Sequence, residues 1–425
     1  MKLQQFDGFK YIQGGVCAAK GFKANGIQCG LAHKPLTEDG SENSKPVKKK
    51  NDLAMIYSET KCTVAAVYTT NKVKGAPITV TKNNISDGYA NAVIVNSVNA
   101  NTCNADGIQK AEKMCELAAS ALKINSKDVI VASTGVIGQV LPIEPIENGM
   151  PALAAGLSQD GNGAALEAIM TTDTMQKELA VEFELGGKLC KMGGMLKGSG
   201  MIHPNMATTL TFITTDAAVS HELLQKALDE NIKTTLNRVS VDGDTSTNDM
   251  VCVMANGNAG NSMIDSESEG FMILKQALYI LMIYFAKMMA RDGEGATKLI
   301  ECCCSDATDE KSAEAVAKSV ITSSLFKAAM FGQDANWGRA LCAIGYADAE
   351  FNISDVNVDV MSAGGKIEAC RNGIIIDFSE KEAKKILAEE EITINVSIGN
   401  GKASATAWGC DLTYNYVKIN GDYRS

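Results

Sequence analysis

From residue 55 to residue 412 short β-branched runs alternate with longer stretches whose apolar residues recur at helical spacing. Strand-length runs and helix-length periods in alternation restrict the chain to an α/β architecture. In the first half, Met55-Ile-Tyr57, Cys62-Thr-Val-Ala-Ala-Val-Tyr68, Ile78-Thr-Val80, Ala92-Val-Ile-Val95 and Val129-Ile-Val-Ala132 read as strands. Gly107 to Lys123 carries Ile108, Ala111, Met114, Cys115, Leu117, Ala118 and Leu122 three and four residues apart, which predicts an amphipathic helix packed on a sheet. Ala164 to Met170 reads as a short helix. The second half predicts helices at Glu222 to Leu236, Gly270 to Arg291, Lys311 to Phe331 and Ser379 to Glu391, the last opened by a Ser379/Glu382 capping box. Met250 to Met254, Ile392 to Ile398 and Ala405 to Leu412 read as strands, and Ser240 to Asp244 as a turn. No repeat and no Pro-rich or Ser-rich linker divides the 425 residues, so both halves are expected to build one body.

Charge and cysteine content remove several classes of function. A net charge of -10 argues against a nucleic-acid groove, which needs a basic excess. Lys48-Lys49-Lys50, the one basic run, sits at the end of a polar stretch (residues 32 to 51) that reads as a solvated loop. Thirteen cysteines are scattered without a C-x-x-C pair, and His33, His203 and His221 are the only histidines, so no zinc spacing forms and no metal is expected. Cys302-Cys303-Cys304 lies on a strand pattern, where neighbours point to opposite faces and cannot converge on one ion. Unpaired cysteines fit a reducing cytoplasm, and Met-Lys-Leu-Gln-Gln-Phe-Asp shows no export signal. The most apolar stretch, Phe271 to Ala290, is interrupted by Lys275, Gln276 and Lys287. Its uncharged part is well short of the ~20 residues that span a bilayer, so it reads as a core helix.

The chemistry points to Lys197 through Ile213. Gly193, Gly194, Gly198 and Gly200 lead to His203-Pro204-Asn205, which reads as a tight loop feeding a strand that opens on Thr208 and Thr209. A threonine whose own amine has been freed holds nucleophile and base in one residue. An α-amine titrates near pH ~8, close enough to neutrality to take the hydroxyl proton. Gly193 to Ser199 is not a phosphate loop, because Lys197 precedes Gly198 where that motif needs Gly-Lys-Ser/Thr. Asp242-Gly-Asp-Thr-Ser-Thr-Asn-Asp249 lacks the ligand spacing and final Glu of a calcium loop, and no catalytic role is read from it. Ser133-Thr134-Gly135 follows a strand, where backbone N–H groups can face a developing oxyanion. Arg291 to Thr297 alone reads as a solvated helix end, and Thr171 as a helix-capping threonine.

Gly198-Ser-Gly-Met-Ile-His-Pro-Asn-Met-Ala-Thr-Thr-Leu210 closely resembles the self-cleavage segment of the ornithine acetyltransferases, the glutamate N-acetyltransferases of arginine biosynthesis. The resemblance continues from Gly26-Ile-Gln-Cys-Gly30 through Gln333-Asp-Ala-Asn-Trp-Gly-Arg339 to the last residue. It implies a layered body of two sheets between helices, formed jointly by the products of a cut between Ala207 and Thr208, namely residues 1–207 and 208–425. It implies transfer of acetyl from N2-acetyl-L-ornithine to L-glutamate through an acetyl-Thr208 ester, with Thr134 and Gly135 as oxyanion hole. It further implies substrate contacts by Thr171, Lys197, Thr208, Glu294, Asn420 and Ser425. Lys197 would meet a carboxylate and Glu294 an ammonium group. No cofactor is required, although some members accept acetyl-CoA as a second donor and so make N-acetylglutamate. The resemblance also implies a heterotetramer of two such pairs of chains.

Three departures stand out. His203 replaces a small residue, Val98 replaces a glycine, and residues 34 to 47 look inserted. Ser425 stands for threonine, keeping the hydroxyl. An aminopeptidase or amidase of related self-processing architecture is the alternative activity, and an uncleaved binding protein the alternative class.

Overall fold

The longest strand, Leu53–Tyr68, is the spine on which the first sheet is assembled. The computed structural model describes residues 3–31, 50–203 and 209–421. In chain order the first part gives β1 (Lys10–Ile12), β2 (Phe22–Ile27), β3 (Leu53–Tyr68), α1 (Ala76–Asn84), β4 (Tyr89–Asn96), α2 (Gly107–Leu122) and β5 (Val129–Ser133). Then come α3 (Glu144–Ala155), α4 (Asn162–Ile169) and a hairpin of β6 (Lys177–Leu185) and β7 (Lys188–Lys197). After residue 209 follow β8 (Leu210–Thr215), α5 (His221–Thr234), β9 (Val239–Ser240), β10 (Met250–Ala255) and α6 (Glu269–Arg291). The last third contributes β11 (Leu299–Ala307), α7 (Glu310–Thr322), α8 (Ser324–Gly332), α9 (Trp337–Gly345), β12 (Asn357–Ser362), β13 (Gly365–Arg371) and β14 (Ile374–Ile375). It closes with α10 (Glu380–Leu387), β15 (Glu391–Ser397), β16 (Ala403–Cys410) and α11 (Tyr414–Asn420).

The first sheet runs β1-β6-β7-β8-β10-β3-β4-β5, with β2 also on β3. β3 is long enough to pair with β2 over Leu53–Ser58 and with β10 over Thr63–Tyr68. β8 and β10 are parallel, with Leu210 opposite Met250, and they lie between β7 and β3. Strands from before residue 203 and after residue 209 therefore interleave in one sheet. The second sheet, β14-β13-β12-β15-β11-β16-β9, belongs to the later part of the chain.

Alternation along β3 separates the faces of the first sheet. Cys62 and Val64 join Phe22 and Leu166 on the side of α4. Ala65 and Val67 point the other way, into a core shared with α5 and α6. α6 lies between the sheets, packed against Val181, Phe183 and Met192 on one side and Leu299, Trp408 and Cys410 on the other. Each fully buried large apolar side chain there is worth about 1.5–3 kcal/mol. A helix buried from both sides is apolar nearly all round, as this sequence is. Its Lys275 and Lys287 reach Glu230 and Glu301 at its rim, each 2.8 Å away. α7 to α10 cover the outer face of the second sheet. The expected arrangement of two sheets between helices holds, with α5 and α6 as a further layer between the sheets.

Several elements differ from the sequence reading. Ile78-Thr-Val80 is not a strand but the first turns of α1, because Pro77 sits at the helix start where its missing N–H costs nothing. Gly193 and Gly194 belong to β7 and not to a loop. A Cβ on Gly193 would stand 1.9 Å from the Gly15 carbonyl oxygen, so the glycine admits the chain that crosses the strand. Lys311 to Phe331 is two helices, because the Ser323 hydroxyl accepts from Phe326 N–H and starts α8 anew. The β6–β7 hairpin, α3 and α9 were not expected. The polar stretch 32–49 lies outside the described residues.

Candidate active site

β5 runs straight into the Ser133-Thr134-Gly135 turn, which a second loop, residues 96 to 104, clasps from the side. Thr134 N–H donates to Asn96 O (3.0 Å), Val136 N–H to Val98 O (2.9 Å), Ala100 N–H to Val136 O (3.0 Å) and Gly138 N–H to Thr102 O (3.0 Å). Gly135 has φ +131°, and a Cβ there would lie 2.0 Å from the Val98 carbonyl carbon, so only glycine fits. Thr134 N–H is thus already engaged. The donors left to face a ligand are the Gly135 N–H and the Thr134 hydroxyl, neither with a partner among the described residues. Val98, where the resemblance led us to expect glycine, adopts φ +79°. That left-handed conformation is a true outlier for a β-branched residue.

Lys197 ends β7 next to a buried ionic knot. Lys177, completely enclosed, bonds Asp173 (2.7 Å) and Asp292. Asp173 also accepts from Gly198 N–H (2.7 Å) and Thr171 N–H (3.0 Å). Burial alone would raise the Asp173 carboxyl, but the Lys197 and Lys177 ammonium groups outweigh it and hold that carboxyl well below the usual range. Asp292, at the end of α6, accepts from Thr174 N–H and its hydroxyl. The knot fastens the Thr171–Thr174 loop, the start of the Gly198 turn and the end of α6 to one another. Lys50 adds a bond to Met170 O (2.8 Å).

Glu294 follows that helix end. Its N–H donates to Ser199 O (2.8 Å), and its carboxylate accepts from the Asn420 amide of α11 (2.8 Å). A Cβ at Gly200 would stand 2.2 Å from the Glu294 carboxyl carbon, so glycine there gives the carboxylate its space. α11 carries no buried side chain of its own. Its Thr413 cap bonds Gly295 O (2.7 Å) at one end and Asn420 bonds Glu294 at the other, which brings this last helix across the site.

The turn from Asp242 to Asp249, for which no catalytic role is read from its residues, forms a wall. Asp242 accepts from Met201 N–H (2.7 Å) and Ile202 N–H (2.9 Å), and the Thr245 hydroxyl donates to His203 O (2.9 Å). His203 pairs through Nδ1 with the Ser240 hydroxyl (3.1 Å). Burial, with Lys318 adding to it, lowers its pKa and favours the neutral imidazole. Beyond it, Thr209 O accepts from Met250 N–H (2.8 Å). Ala207, Thr208 and Ser425 lie outside the described residues.

These segments close around a cavity of about 280 Å³, near the lower end for ligand pockets and suited to an amino-acid derivative. Thr134, Gly135, Thr171, Lys197, Glu294 and Asn420 all line it, drawn from five separate parts of the chain. The sequence reading missed Ser246, Thr247 and Asn248, which line it too. A polar turn with no metal spacing gives no local sign of such a place.

The model of the ArgJ family matches residues 40–425. The chain belongs to the ArgJ family. As an ArgJ member it is an acyltransferase of arginine biosynthesis, in agreement with the resemblance carried by Gly198 to Leu210. The arginine biosynthesis bifunctional protein ArgJ 1 of Clostridium acetobutylicum is 50% identical over 377 residues, 88% of this chain and 92% of that protein. The ArgJ protein of Symbiobacterium thermophilum is 46% identical over 417 residues, 98% of this chain and 100% of that one. A crystal structure of ArgJ from Bacillus halodurans aligns with 49% of this chain and 97% of its own, at 44% identity and a TM-score of 0.47.

Proposed function

We propose that the chain cuts itself between Ala207 and Thr208 and then carries acetyl from N2-acetyl-L-ornithine to L-glutamate on the Thr208 hydroxyl. The freed Thr208 amine takes the hydroxyl proton as the oxygen attacks the acetyl carbonyl. The Thr134 hydroxyl and Gly135 N–H stabilise the oxyanion, a contribution of about 2.7–4 kcal/mol per donor. Collapse of the tetrahedral intermediate breaks the amide bond, and ornithine leaves with the proton held by the amine. Glutamate then attacks the ester, its amine takes the acetyl group, and the threonine is restored.

Lys197 holds the α-carboxylate, and Glu294, supported by Asn420, holds the side-chain ammonium of ornithine. Thr171 and Ser425 complete the substrate contacts. One amide is exchanged for another, so the reaction is close to thermoneutral and needs no nucleotide. It does need water kept from the ester. The support for this reading is the convergence of an oxyanion turn, a lysine and a buried glutamate on one small cavity.

Thr208→Ala tests it. The parent is expected to give fragments of 207 and 218 residues (425 less 207) and to exchange acetyl between ornithine and glutamate. The variant is expected to do neither, and a cleaved, active Ala variant would overturn the assignment. Assaying acetylornithine and acetyl-CoA separately decides whether the second donor is used. Free acetate released without glutamate, at the rate of transfer, would favour the amidase. We further read the working enzyme as a cytoplasmic heterotetramer of two cleaved pairs.

A further inference from the structure

Asn248 is the most heavily used side chain in the cavity wall. Its amide donates to Ala100 O (2.6 Å) and Ser133 O (3.0 Å). Its carbonyl accepts from the hydroxyls of Thr102 and Thr247, each at 2.6 Å. Two donors and two acceptor lone pairs are all that a carboxamide has, and here all four are taken. The group is buried, and a Cβ on Gly75 would lie 2.5 Å from its amide nitrogen, so the glycine makes its socket.

The partners are not scattered. Ser133 directly precedes Thr134 and Gly135. Ala100 and Thr102 belong to the loop that clasps that turn, through Ala100 N–H to Val136 O and Gly138 N–H to Thr102 O. That same loop holds Val98, Asn101 and Cys103 at positive φ (79°, 49° and 62°). A loop with three such residues keeps its shape only where surrounding bonds over-determine it. We infer that Asn248 is a positioning residue for acetyl transfer, locking the Ala100 loop to the Ser133 turn so that the Thr134–Gly135 donors are aimed before substrate arrives. The inference rests on the oxyanion reading given under Proposed function. In that reading Asn248 acts through Thr134 and Gly135 and not on the substrate.

Asn248→Asp preserves shape but replaces both donors with an oxygen facing two carbonyls. Misaiming an oxyanion hole slows chemistry by up to the ~10²–10³-fold lost when one donor is removed. The expected result is a fall of about 100-fold in kcat, or in the rate of self-cleavage, while KM for acetylornithine and the calorimetric Kd for ornithine stay within about threefold of the parent. A merely structural lesion would weaken ornithine binding as well. Parental rates in a folded Asn248→Asp enzyme, or a loss confined to KM, would overturn the inference.

If that variant does not fold, Thr102→Val removes one of the four bonds. It is expected to slow kcat about fivefold to tenfold at unchanged KM, and a parental kcat would then refute the proposal. The parent enzyme, mixed with acetylornithine and examined by intact mass, separately tests the foundation. Absence of any acetylated chain there removes the acetyl-threonine reading itself, whatever Asn248 does.

Discussion

Asp249 precedes Met250, whose N–H bonds Thr209 O, and it is 3% exposed. One of its carboxyl oxygens has no partner among the described residues. Burial drives its pKa well above the ordinary carboxylate value, and Ser246 and Lys197 only partly oppose this. The linkage has a definite sign. The folded chain keeps the proton that the unfolded chain releases above pH ~3.9, so stability falls as pH rises from there toward the folded-state pKa. Asn cannot titrate. Asp249→Asn is therefore expected to match the parent near pH 4 and exceed it at pH 8, by roughly 1–3 kcal/mol. Melting temperatures across that range check it, and a difference that shrinks with rising pH would contradict the account.

Among the described elements, the loop between β4 and α2 departs most from easy backbone geometry, with Val98, Asn101 and Cys103 all at positive φ. Val98 at φ +79° carries a cost that glycine would not. Part of that relief is returned because glycine is freer in the unfolded chain. Val98→Gly is expected to stabilise by up to ~1 kcal/mol, a rise in Tm of roughly 1–2 °C for a chain of this size, and scanning calorimetry reads it directly. The same loop explains what the sequence could and could not disclose. Strands with clear β-branched runs, such as Ala92 to Val95 and Val129 to Ala132, were legible because no tertiary contact had to override them. Ile78 to Val80 was not, since three β-branched or apolar residues look the same whether a proline starts a helix ahead of them or a strand. The family motif, and not their local chemistry, pointed to Lys197 and Glu294, both of which line the cavity. Asn248 stayed hidden because an asparagine in a polar turn acquires its role only from carbonyls 115 and 148 positions away.

At the scale of the whole molecule, β8 and β10 lie between β7 and β3. If the chain is cut before Thr208, each piece still shares ladder bonds with the other along two seams, β7–β8 and β10–β3. The core around α5 and α6 adds a further bond, since it joins Val67 and Phe183 from one piece to Phe271 and Phe285 from the other. The two fragments are expected to travel as a single species in gel filtration even at high dilution, and to separate only in denaturant. Separation under native conditions would show that the cut lies elsewhere.

That interleaving also dictates an order of manufacture. A gene divided at the Thr208 codon would release one product with the β7 and β3 edges bare and another with the outer edges of the β8–β10 pair bare. Such open edges invite association with the wrong neighbours. Translating both portions as a single strand lets the sheet close before any peptide bond is broken, so the scission we propose would work as a finishing step on an already assembled object.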